Sequence, residues 1–158
     1  MNKVFLKLYN AGIIVSFLGS VVFTFLVLPY LFRLTTAEVD NIVIVKWIYY
    51  FIVIIFHMPF GYALLQVFKL LSLLKEDDFF KEQVINILKK IIYSGLTIGS
   101  LHFLALILMT ILGNYSELLG MLSIMVIVVS VIVSSFTYLL STVLDKSITI
   151  KKENDLTI

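Results

Sequence analysis

Residues 91–144 read IIYSGLTIGSLHFLALILMTILGNYSELLGMLSIMVIVVSVIVSSFTYLLSTVL, and a single charge, Glu117, interrupts this apolar stretch. A helix needs about 20 apolar residues to cross the hydrocarbon core of a bilayer. The stretch is far too long for one crossing, so the chain must turn inside it. Gly113, Asn114, Glu117 and Gly120 bring turn chemistry and a charge to its midpoint. A tight hairpin is predicted there, joining helices over 91–112 and 121–143.

Working toward the N-terminus, charges bound two more runs. Trp47–Phe68 has 22 uncharged residues between Lys46 and Lys69, and Leu8–Phe32 has 25 between Lys7 and Arg33. Each is long enough for one crossing. Closed β-barrels, the other spanning architecture, show short alternating segments instead of unbroken apolar blocks. Lys3 and Lys7 resemble the basic start of a secretion signal, but a signal's apolar region is about 7–15 residues long, so an uncleaved helix is expected. Over the 158 residues, 61% are hydrophobic and 14% charged, with a mean hydropathy of +1.09. Soluble domains hold about 45–50% apolar and about 25% charged residues. A soluble enzyme and a disordered chain are both excluded.

The charges also orient the bundle. The N-terminal segment, the loop 69–90 and the tail 145–158 alternate with the spans and must share one side; they carry 10 of the 12 basic residues. Arg33 and Lys46 alone fall opposite. The positive-inside bias predicts that both termini and the middle loop are cytoplasmic. The expected fold is all-α, a single membrane domain over 1–158. It is a four-helix transmembrane bundle, N-in/C-in, with spans near 8–32, 47–68, 91–112 and 121–143. A short amphipathic cytoplasmic helix is expected between spans 2 and 3. The 14-residue connection from Arg33 to Lys46 and the hairpin at Gly113–Gly120 are too small for a receptor domain. Protein partners are therefore expected inside.

In the middle loop, Val84, Ile87, Leu88 and Ile91 recur at i, i+3, i+4 and i+7 while Lys81, Glu82, Asn86 and Lys89 take other faces. Asp77 or Asp78 can cap the start of this helix. One reading is an interfacial helix leading into the third span, with its lysines at headgroup level. The other is a docking surface for a cytosolic protein.

Within the spans, His57 and His102 each lie 12 residues from a basic boundary, Lys69 and Lys90 respectively. Intramembrane ionisable groups are functional candidates because burying charge is costly. Facing imidazoles could bind haem or metal or relay protons. Two ligands make a poor metal site, and no carboxylate lies in either span to orient them. Neutral histidines hydrogen-bonded between helices are expected, with no cofactor and no metal. Pro59 is expected to kink the second span, and Pro29 to shape the exit of the first. Gly95 and Gly99 form a GxxxG, Gly12, Ser16 and Ser20 a small stripe on the first helix, and Ser130, Ser134, Thr137 and Ser141 another on the last. These read as packing surfaces within the bundle. A homo-oligomer has no separate support.

Phosphate loops, zinc-protease motifs and catalytic triads are absent from the sequence, and the absence of cysteine excludes disulfides and thiolate metal sites. A net charge of +2 gives no basic patch for direct nucleic-acid binding. A non-enzymatic protein partnered by the lipid bilayer is expected. The tail ends Glu153-Asn154-Asp155-Leu156-Thr157-Ile158, and the loop carries Asp78-Phe79-Phe80-Lys81-Glu82 running into Leu88-Lys89-Lys90-Ile91.

Both segments resemble the bacterial membrane family catalogued as domain of unknown function 2975, with Lys81 standing where that family has a small hydroxyl residue. The resemblance implies a multi-pass protein of the bacterial cell membrane, often encoded beside a Cro/C1-type helix-turn-helix regulator. It makes Phe79, Phe80, Glu82, Leu88 and Lys89, with Glu153, Asn154, Asp155, Leu156 and Thr157, the expected partner-binding residues. A rival expectation is a small transporter or bacteriocin-immunity protein acting through the intramembrane polar residues His57, Gln66 and His102.

Overall fold

A computed structural model describes residues 3–27, 29–30, 42–75, 82–111 and 117–156. Among them are four long helices: α1 (Lys3–Val22), α2 (Ile42–Lys75), α3 (Glu82–Ile111) and α4 (Glu117–Leu156). Four segments are long and apolar enough to cross a membrane: Asn10–Val27, which begins in α1 and runs past its end, and Ile54–Leu73, Glu82–Ile111 and Gly120–Asn154 within α2, α3 and α4. The predicted hairpin residues 112–116, Arg33, and the proposed caps Asp77 and Asp78 lie outside the described residues.

Three helices exceed the lengths predicted for them. At 1.5 Å per residue, α2 with 34 residues is about 51 Å long. The 40 residues of α4 span about 60 Å, twice the hydrocarbon thickness. The excess gathers at one end. There the C-terminal turns of α2, the N-terminal turns of α3 and the C-terminal turns of α4 form a short helical stalk. Its core is Val84, Leu88 and Leu144, with Leu70 and Leu73 packed against it. The tail is therefore the end of α4, helical to Leu156, instead of a separate polar appendage.

The amphipathic segment is likewise the opening of α3, which runs unbroken from Glu82 to Ile111. No separate short helix occurs among the described residues. The periodicity itself was legible: Val84, Ile87, Leu88 and Ile91 are buried, whereas Glu82, Asn86 and Lys89 are exposed. Its apolar stripe, however, faces the bundle and not a lipid surface. Three short segments of 7 to 12 residues cannot fold alone, but together they exclude water from Val84 and Leu88. Helix formation is cheapest when a packed face stabilises it.

Inside the bundle, the two small-residue stripes of α3 and α4 meet. A Cβ on Gly95 would overlap the Ser134 hydroxyl, and one on Gly99 would touch Ser130 Cβ at 3.5 Å. Ser134 donates a 3.4 Å hydrogen bond to the Ile92 carbonyl. Close backbone approach of this kind is how membrane helices associate without a hydrophobic driving force between them. The stripe on α1 behaves differently. A Cβ on Gly12 would meet nothing within 4 Å, and Ser16 is exposed and bonds its own helix at the Gly12 carbonyl. Ser20, at the end of that stripe, likewise bonds its own helix through its hydroxyl and meets α2 through its backbone carbonyl. Apolar side chains such as Leu18, Ile132 and Phe136 are exposed, as lipid-facing residues must be when the surrounding solvent is hydrocarbon.

α1 packs antiparallel on α2: Phe17 lies 3.6 Å from the Gly61 Cβ position, and Thr24 reaches His57. With α2, α3 and α4 alternating, the chain's first and last helical turns lie at the same end of the bundle. That end holds Lys7, Lys69, Lys89, Lys90 and Lys146. α1 is followed directly by a π-helical segment, Phe23–Val27. This register goes beyond the sequence expectation for Pro29, the shaping of the exit. A proline removes the donor for the carbonyl four residues back and clashes with it, here Phe25, and the wider register just before it accommodates that loss. α2 passes through Pro59 without interruption.

Candidate functional site

Two groups of polar residues stand out, one inside the bundle and one at the stalk. The first is centred on His57. Thr24 is 3% exposed and belongs to the π-helical segment, a register frequent at functional sites. Its hydroxyl donates to the Ser20 carbonyl at 2.8 Å, so it has only lone pairs left to offer. His57 Nε2 lies 2.7 Å from Thr24 Oγ1 and 3.3 Å from the Ser20 carbonyl. Both neighbours accept, which assigns the proton to Nε2. The expectation of a histidine hydrogen-bonded between helices holds for His57.

It does not hold for His102. Both of its ring nitrogens are buried without a hydrogen-bond partner. The side chain that α2 presents to it is Phe56, whose ring meets the imidazole edge-on at 4.4 Å between centroids and 89°. Phe56 also packs on His57, at 5.7 Å and 78°. The two imidazoles are thus linked through one aromatic ring, while His57 directs its Nε2 toward α1. Among the described residues no group of three metal-ligating side chains occurs. Gln66, 2% exposed, has its Oε1 without a partner.

Replacing Thr24 by valine keeps the shape and removes the acceptor for His57. Hydrogen bonds between membrane helices contribute about 0.6 kcal/mol on average and about 1.7 at most. The Thr24→Val protein is expected to lose stability within that range on denaturation in detergent. A loss no larger than for the exposed Thr110→Val control would show that the contact does not hold α1 to α2.

The stalk brings together the two segments that sequence had separated by 70 positions. Lys152 Nζ, near the end of α4, donates to Glu82 Oε1, in the first turn of α3, at 2.6 Å. Both side chains are well exposed. The lysine hydrogen bond, with its charge, holds the Glu82 carboxyl below the ordinary carboxylate range. A carboxylate with a lowered folded-state pKa contributes at pH values above its unfolded pKa and loses that contribution as pH falls through the folded one. The pair is therefore intact at neutral pH and released by acid. Being exposed, it is also weakened by salt. Glu82 additionally places a negative charge at the positive end of the α3 dipole.

The other expected partner-binding residues divide. Lys89, Glu153 and Asn154 are exposed on the same stalk. Leu88, at 2%, lies beneath that surface and supports it, so it offers a partner no contact. Asp155 and Leu156 belong to α4, but their side chains are outside the described residues, as are Phe79, Phe80 and Thr157 altogether. Sequence reasoning missed Thr24, Phe56 and Lys152. Thr24 follows Ser20 by four residues and so continues the small stripe of α1, a signal that was available. Nothing local marked Lys152 or Phe56.

Comparison with known proteins agrees with this architecture. Over its full length the chain is 26% identical to the uncharacterized membrane protein YoaS of Bacillus subtilis (strain 168), of which it covers 98%. No solved structure matches it. The family model described as protein of unknown function (DUF2975) matches residues 30–158, which takes in α2, α3, α4 and the whole stalk, and the chain belongs to that family.

Proposed function

We propose that this protein is a non-enzymatic membrane partner whose stalk binds a cytosolic helix-turn-helix regulator. The observation that carries the reading is the contact between Lys152 and Glu82, which joins the opening of α3 and the end of α4 into one polar surface. Glu82, Lys89, Glu153 and Asn154 are exposed there, at the end of the bundle where the basic residues gather. On the positive-inside rule that end faces the cytoplasm, which puts both termini and the stalk inside the cell membrane's inner face. Acidic and basic groups interleave on this surface, so the partner surface is mixed in charge, and electrostatic complementarity sets the encounter rate and specificity.

Glu153 and Asn154 are exposed on this surface and are not among the core residues Val84, Leu88 and Leu144. Co-purification of a Cro/C1-type helix-turn-helix regulator, with tagged full-length protein and with the 153–158 deletion, checks the role of the tail. Deletion is expected to reduce capture by about tenfold, the equivalent of about 1.4 kcal/mol. Unchanged capture by a deletion protein of normal membrane abundance would remove the tail from the interface.

A second reading has its own observation. The π-helical Thr24, the His57 proton and the unpaired nitrogens of His102 make a polar strip across α1, α2 and α3. A small transporter or immunity protein working through the bundle uses these residues and not the tail. Survival against peptide toxins separates the two readings: here substitutions at His57 and His102 matter and tail deletion does not.

A further inference from the structure

The outer face of the α2–α3 pair carries an open groove of about 570 Å³, with Pro59 and Tyr62 on one wall and Tyr93, Ser94 and Thr97 on the other. Lys90 closes one end. It is the only charge among the described lining residues, and no carboxylate lies among them. Tyr93 is 68% exposed and Tyr62 44%, so both rings stand at the groove's mouth.

Position along the membrane gives the groove its meaning. Lys90 ends the charged loop, and the 26-residue uncharged run begins at Ile91, so Lys90 sits at the boundary of the hydrocarbon. Thr97 lies seven residues further along α3, about 10 Å deeper. The groove therefore begins at the depth of lipid phosphates and runs inward among acyl chains. Tyrosines are enriched at this interface because a ring sits in the apolar layer and a hydroxyl in the polar one. Basic pockets between membrane helices bind anionic headgroups.

We propose that this groove binds an anionic phospholipid. One acyl chain lies against Pro59, Tyr62 and Thr97, the phosphate pairs with Lys90, and the hydroxyl of Tyr93 donates to its oxygens. A partner helix fits less well, because it would bury the Lys90 ammonium with no carboxylate opposite.

The test is titration of the purified full-length protein in detergent with phosphatidylglycerol and with phosphatidylcholine of the same acyl chains, read by native mass spectrometry. The protein is expected to retain phosphatidylglycerol about fivefold better, the effect of one lysine near an anionic surface. Lys90→Gln removes the preference, Lys90→Arg keeps it, and Lys146→Gln, a lysine outside the groove, leaves it unchanged. Tyr93→Ala weakens retention of both lipids. Equal retention of the two lipids by the unmodified protein overturns the proposal. So does a loss of preference in Lys146→Gln as large as in Lys90→Gln, which would reduce the effect to net charge. Lys90 is exposed, so its variants fold, and an unchanged circular dichroism spectrum verifies that.

Discussion

Leu88→Lys is expected to abolish the folded stalk, with the protein lost from the membrane or recovered with a collapsed unfolding midpoint. Leu88 is 2% exposed and packs with Val84, at 0%, and Leu144, at 5%, in the centre of three helices. Truncation to alanine there removes transfer free energy and leaves a cavity, together about 2–5 kcal/mol. A lysine adds the burial of an ammonium with no partner, which costs several kcal/mol more in real proteins. Leu88→Met, which conserves volume, is expected to cost less than about 1.5 kcal/mol. Asn86→Ala, two residues away and exposed, serves as the neutral comparison. The measurement is denaturation of the purified variants in detergent, followed by helical signal. If Leu88→Lys unfolds no more easily than Asn86→Ala, the stalk is not a packed unit.

Gly95→Ala is the second large effect, and its size depends on a single neighbouring atom. The added methyl would overlap the Ser134 hydroxyl, whereas the next atoms, the Ser130 carbonyl at 3.5 Å and Ser134 Cβ at 3.7 Å, stand at ordinary contact distance. The hydroxyl must turn away and give up its bond to the Ile92 carbonyl, or the helices must separate. Turning the hydroxyl costs that bond, about 0.6 kcal/mol, and separating the helices raises the loss toward the about 1–3 kcal/mol of overpacking. Ser134→Ala alone loses one weak interhelical hydrogen bond, about 0.6 kcal/mol. The double variant removes the atom that clashes, so it is expected to be more stable than Gly95→Ala. This cycle has a sign that strict additivity cannot produce. Additive losses would mean that α3 and α4 do not meet at these positions.

Sequence made the number and placement of the spans legible because lipid imposes a constraint that each segment must satisfy by itself. An uncharged run such as Trp47–Phe68 has one reading wherever it occurs. The amphipathic opening of α3 was legible for a similar reason, since periodicity is a local property. The stalk was not. In Asp145-Lys146-Ser147-Ile148-Thr149-Ile150, polar and β-branched residues lower helix propensity, and the pattern resembles the end of a helix. What keeps it helical is Ile148, 6% exposed, one turn beyond Leu144 on the buried face. That benefit exists only because α2 and α3 supply the other walls.

The same distinction runs through the candidate site. Both small-residue stripes could be seen, and so could both histidines, because rare residue types in an apolar run attract notice. Their partners could not. His57 finds Thr24 across 33 positions, and Glu82 finds Lys152 across 70. The π-helical register that presents Thr24 arises from a backbone adjustment before Pro29, which residue types alone do not specify. His102 departed from expectation because its neighbour on α2 is Phe56, a ring with no lone pair to offer.

α4 passes without a break from Gly120, through Ser134 at the α3 interface, to Lys152 at the stalk. A continuous helix has no joint, and its backbone hydrogen bonds resist stretching as well as bending. The Lys152 end and the contact between Ser134 and Gly95 thus lie on one helix, about 27 Å apart along its axis. The serine face and the glycine face interlock too closely to slip by a fraction of a turn. The packing of α4 on α3 through Ser134 and the display of Glu153 and Asn154 at the stalk are set by the orientation of a single helix.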